Sequence, residues 1–168
     1  MERASGDFAF KAHLEELKNI RQIVAGLNKA ILSLSRTETY RDNVLLLRSV
    51  PGISTLTAMT LHTELCDIFR FSSLDKLASY AGLVPGIKSS GETEHTTGIT
   101  HRRNATMRTV LVESYRVAVR KDPALMMAFN KFSLRMKKTK AIVHITRKLL
   151  NRIRFVLKNR EQYIPAIV

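Results

Sequence analysis

Phe10, Leu17, Val24 and Ile31 recur every seven residues, and His13, Ile20, Leu27 and Leu34 repeat that interval three residues further on. Alternating steps of three and four over this length predict one long helix with a narrow apolar seam, suited to a coiled coil or a helical hairpin. A helix packed on its own domain normally shows a wider stripe. The seam therefore favours a partner helix, and a homo-oligomer formed through it is expected. After a polar break at 37–42, Val44, Leu45, Leu46 and Leu47 begin a second helix that stops at Pro51-Gly52. Proline disfavours helix at the residue before it, and glycine permits a turn with positive φ. The pattern resumes at Thr55 with Leu56, Ala58, Met59, Leu61 and Leu65. Ser72 or Ser73 can then cap a short helix, with Phe71 as its staple and Asp75 in its first turn.

Residues 82–104 break the helical pattern with glycines, Pro85 and the pair Ser89-Ser90. A long Gly/Ser loop is expected there, with room for a short hairpin near 86–100. Long connections inside compact domains are more often functional than idle. Beyond it, Asn104 is placed to cap a helix running to about Arg120, and Asp122-Pro123 starts another. Thr139 can cap a last helix that turns Ile142, Ile145, Leu149, Ile153 and Val156 inward and Arg147, Lys148, Arg152, Arg154 and Lys158 outward. The expected fold is mainly α: a coiled-coil or dimerisation helix over 1–43, then a compact helical domain over 44–168.

Charge sharpens this picture. The 168 residues carry a net charge of +14, and 17 of the 28 Lys and Arg lie after residue 100, against three of the 14 Asp and Glu. A solvated helical face normally mixes both signs, so this segment is read as a phosphate-binding surface. Arg102, Arg103, Arg108, Arg147 and Lys148 are its leading candidates. A 45% hydrophobic fraction excludes a disordered chain. No apolar run approaches the ~20 residues of a membrane span, so no membrane partner is expected. Cys66 is the sole cysteine, which leaves no disulfide framework and points to the cytoplasm.

Two motifs bear on chemistry. Pro51, Gly52, Ile53, Ser54 and Thr55 join two helices as in a helix-hairpin-helix, where turn N–H groups and the next helix N-terminus hold one DNA phosphate. Ser89 and Ser90 precede Gly91, which permits a turn that exposes a hydroxyl nucleophile beside arginines able to hold a phosphate. Glu92, Glu94 and His95 are read as solvated loop residues, and the carboxylates after residue 100 are too few and too scattered for a metal-dependent nuclease. No self-contained metal site is legible. On these residues alone the chain is a nucleic-acid-binding protein, a serine-dependent recombinase part, or a helical oligomerisation protein.

Order and spacing add one further clue. Val50-Pro-Gly-Ile-Ser, Leu65-Cys-Asp-Ile-Phe-Arg-Phe-Ser-Ser, Leu77-Ala-Ser-Tyr-Ala-Gly-Leu-Val-Pro-Gly, Ser89-Ser-Gly, Gly98-Ile-Thr, Met107-Arg-Thr-Val-Leu-Val-Glu and Arg147-Lys-Leu-Leu occur in sequence. Together they resemble the C-terminal domain of the insertion-sequence 110/116/902 transposases, a family that includes Piv-type DNA invertases. The resemblance implies a DNA-binding domain whose loop serine attacks DNA covalently in site-specific recombination. The matching residue is Ser90, with Ser89 beside it. It further implies a separate RuvC-like domain whose four carboxylates hold Mg, DNA and a structured guide RNA as partners, and dimers or tetramers. Asn104 matches the asparagine that ends the family's Gly-x-Ile-Ser/Thr-Lys-x-Gly-Asn motif, whereas His101 and Arg103 stand where the family carries lysine and glycine. On this reading the chain is the C-terminal part of a transposase without its RuvC-like half, needing no cofactor itself and inactive alone. The alternative is a non-catalytic helix-hairpin-helix module binding DNA or RNA.

Overall fold

A computed structural model describes residues 2–90, 93–99 and 104–165, with backbone alone for 2–5, 85–90 and 93–99. The fold is mainly α. Helix α1 spans Glu2–Leu34, α2 Glu38–Ser49, α3 Thr55–Leu65 and α4 Leu74–Tyr80, with a single 3-10 turn, Ile68–Arg70, before α4. A hairpin of β1 (Pro85–Ser90) and β2 (Thr93–Ile99) follows, then α5 (Ala105–Lys121), α6 (Pro123–Arg135) and α7 (Lys138–Asn159). The described part of the 82–104 segment is thus an antiparallel ribbon, with Ser90 opposite Thr93 in its last register pair and an irregularity at Pro85/Gly86.

Local chemistry sets most boundaries. Ser73, not Ser72, caps α4 by accepting from Lys76 N–H at 3.2 Å. Asn104 caps α5 through Met107 N–H, and Asp122 caps α6 through Leu125 N–H with Pro123 at the first helical position. Each such cap contributes about 1 kcal/mol. The expected cap at Thr139 is not used: α7 begins one residue earlier, at Lys138, behind Lys137, which makes no side-chain cap. Gly82 takes a positive φ of 67° just past α4.

Helix α7 is the centre of the domain and touches α2, α4, α5, α6 and the 3-10 turn. Its inward row, Ile145, Leu149, Ile153 and Val156, is fully buried, as are Leu47, Leu61, Leu77, Met107 and Leu111 from the surrounding elements. Each buried leucine or isoleucine stabilises the fold by roughly 1.5–3 kcal/mol relative to exposure. Helix α1 stands apart from this core. Phe10, Leu17, Ile20, Val24 and Leu27 remain 44–67% exposed, and near its end Ile31 packs against the core cluster. The seven-residue seam is therefore an open apolar row on a continuous helix. Among the described residues no helix is long and apolar enough to cross a membrane.

Candidate nucleic-acid interface

The segment that carries Ser90 is closed between Tyr80 and Asn104. Asn104 N–H donates to the Tyr80 carbonyl at 3.1 Å, joining the residue that ends α4 to the one that caps α5. The Asn104 side chain is engaged at both ends: Oδ1 accepts from Met107 N–H, and Nδ2 donates to the Glu64 carboxylate and faces the Tyr80 hydroxyl at 3.4 Å. Tyr80 in turn donates to the Glu64 carbonyl at 3.1 Å. Arg70 covers the rings of Tyr80 and Phe71 at 4.7 and 4.6 Å. The end of α3 thus ties together the residue that ends α4 and the residue that caps α5, on either side of the segment that holds the hairpin. Glu64 and Tyr80 were not among the residues singled out in sequence, because nothing local links positions 64, 80 and 104. Ser90 itself is placed by its backbone at the end of β1. Arg102 and Arg103 lie outside the described residues.

The Pro51–Thr55 stretch has a different setting. Ile53 N–H donates to the Val50 carbonyl, and the exposed Ser54 hydroxyl caps α3 by accepting from Thr57 N–H at 3.1 Å. Gly52 has a φ of 90°, and a Cβ there would lie 2.9 Å from Ala118 N and 3.1 Å from Ala118 Cβ. The turn is pressed onto α5 where Ser114 and Ala118, both buried, keep the helix surface low. Asn104 and Arg108 belong to the other end of α5. Ten residues at 1.5 Å rise separate Asn104 from Ser114 by about 15 Å. The turn and the hairpin base are two separate places on one helix.

Arg147 and Lys148 come together in a third place, an open cleft of about 570 Å³ lined by Leu74, Phe132, His144, Arg147, Lys148, Asn151 and Arg152. Five of these residues form one face of α7 at the i, i+3, i+4, i+7, i+8 spacing of a helical stripe. That spacing is readable in the sequence, yet His144 and Asn151 drew no attention there because neither adds a formal charge at neutral pH. Arg147 pairs with Asp75 of α4 at 2.7 Å. Arg152 is only 17% exposed and pairs with Asp122, which is 1% exposed and also accepts from Leu125 N–H and from the Tyr163 hydroxyl at 3.0 Å. Burial, and then the hydrogen bond to Asp122, push the Tyr163 phenol above its ordinary range. Arg152 and Lys158 are therefore not simply outward: one closes a buried carboxylate, and the other donates to the Phe71 carbonyl at 3.2 Å.

Three carboxylates are engaged in the same way. Glu64 meets Asn104, Asp75 meets Arg147, and Asp122 meets Arg152. Among the described residues no cluster of three or more His, Cys, Asp or Glu could hold a metal ion, so the acidic groups present do not fit a metal-binding set. The α6–α7 corner is exposed and basic, with Lys131, Arg135, Lys137, Lys138 and Lys140 at the surface.

Over 67 residues the chain is 46% identical to the protein described as "Putative transposase y4qE" of Sinorhizobium fredii (strain NBRC 101917 / NGR234), covering 40% of this chain and 17% of that protein. Over 73 residues it is 37% identical to the transposase for insertion sequence element IS1111A of Coxiella burnetii (strain RSA 493 / Nine Mile phase I), covering 44% of this chain and 20% of that protein. The matched region is thus a fifth or less of each relative's length. The model of the transposase IS116/IS110/IS902 family matches residues 44–130, just over half the chain, from α2 to well inside α6. With that match, and a mainly α domain built around those helices, the chain belongs to the IS116/IS110/IS902 family of transposases.

Proposed function

We propose that this chain is a DNA-binding part of a transposase and that Ser90 is its nucleophile in site-specific recombination. The observation that supports the reading is the hairpin itself: within the family-matched region, Ser90 ends a strand in the segment bracketed by Tyr80 and Asn104, which Glu64 ties together. In the step envisaged, Ser90 Oγ attacks a DNA phosphorus, an O–P bond forms, and the bond to the leaving deoxyribose oxygen breaks. The hydroxyl proton passes to solvent, and the leaving oxygen takes one up. The described acidic residues form no cluster able to hold a metal ion, so carboxylates that bind Mg would come from a RuvC-like domain outside them. DNA, and a structured guide RNA, are held by the basic residues of α5, α6 and α7, and the α1 seam joins copies of the chain. The setting is the cytoplasm.

The test supplies the carboxylate domain of a full-length relative in trans and assays covalent protein–DNA adducts on denaturing gels. Ser90→Ala is expected to abolish the adduct, and Ser89→Ala to retain it. Adducts that survive Ser90→Ala overturn the assignment.

A further inference from the structure

The cleft on α7 offers more than positive charge. Two of its three cations are already committed, Arg147 to Asp75 and Arg152 to the buried Asp122. Lys148 has no acidic partner among the described residues. The other polar and aromatic groups are of a different kind. The exposed His144 imidazole rests on Phe132, with ring centroids 5.2 Å apart and planes at 26°. One face of the imidazole is taken by Phe132, and the residue is otherwise open to solvent. Asn151 brings an amide with both donor and acceptor capacity.

A duplex backbone calls for cations and has no use for a tiered aromatic wall. A base taken out of its stack calls for an aromatic face, an amide to read its edge, and cations for the phosphates on either side. Helix α7 supplies these in one row. Lys140, His144 and Lys148 follow at i, i+4 and i+8, so each lies about 6 Å from the next along the helix axis.

Resting on the nucleic-acid reading above, we propose that this cleft takes an unpaired nucleotide of a DNA or RNA strand. The base stacks on the His144–Phe132 pair, Asn151 meets its edge, and Lys140 and Lys148 meet the flanking phosphates. Arg147 and Arg152, held by their carboxylates, give the cleft fixed walls. Its volume falls in the range of sites that enclose one small ligand.

The experiment measures binding of the full chain to a duplex, to the same duplex with a short single-stranded gap, and to that gap made abasic, with DNA and RNA versions of the gapped strand. The gap is expected to tighten binding, and removal of its bases to cancel the gain in the unaltered protein. His144→Ala should weaken gapped binding about tenfold or more and duplex binding far less, while His144→Tyr restores the gapped affinity. Base-dependent binding of either strand supports the proposal, and the tighter one identifies the source. Equal affinity for gap and duplex, indifference to abasic sites, or an equal loss on both substrates in His144→Ala overturns it. Absence of duplex binding by the unaltered protein would overturn the nucleic-acid reading instead.

Discussion

At Gly52 a single hydrogen atom sets how closely the α2–α3 turn meets α5. Its φ of 90° lies in the left-handed region, and the space a Cβ would need is already filled by the backbone of α5 near Ala118. Gly52→Ala is expected to cost at least about 2 kcal/mol, from backbone strain and the displacement of a packed helix. A shift of the urea midpoint measures it, and an unchanged midpoint would show that the turn can lift away. The dipeptide Pro51-Gly52 was legible as a turn because its signal is local. The partner of Gly52 was not, because Ser114 and Ala118 are more than sixty positions away and carry no mark of their own. Asn104 divides in the same way: its capping role is written in the next three residues, and its tie to Glu64 is not.

Among the elements, α1 and α7 use similar patterns to opposite ends. In α7 the apolar row is buried and the basic row is partly consumed by Asp75, Asp122 and the Phe71 carbonyl. In α1 the seam at Phe10, Leu17 and Val24 stays open. Several contiguous exposed leucines, isoleucines and valines on one helix face are uncommon unless another surface covers them. If α1 joins copies of the chain as proposed, Leu17→Glu together with Val24→Glu is expected to give monomers while leaving the 38–165 core folded. Sedimentation velocity reads the first and near-native far-UV circular dichroism the second. A chain that is monomeric before the substitutions removes the assembly role of α1. Helix existence was readable throughout from period and caps. The ribbon at 85–99 was less so, because polar residues and glycines dominate there, and Ile87 and Ile99 are too few to mark an apolar face that fixes a register.

At the scale of the whole molecule, α5, α6 and α7 pack against one another while holding nearly all the excess charge. Ion pairs of Arg116, Arg147 and Arg152 with Glu113, Asp75 and Asp122 offset part of that charge. The charge asymmetry was plain in the sequence. That Arg147 and Arg152 are consumed internally was not, since their tertiary pairings span 72 and 30 positions. The crowded cations also repel one another, so the empty domain is under electrostatic pressure that counterions relieve. Added salt, sulfate above all, should raise the melting temperature of the free protein. The same salt should weaken nucleic-acid binding, with a log–log slope of about 0.9 per duplex phosphate neutralised. Thermal melts and anisotropy titrations over one salt series test the pair, and parallel responses would contradict it. The polyanion would then act as the missing half of the domain's own charge balance, which makes the bound state the one in which the fold is most at rest.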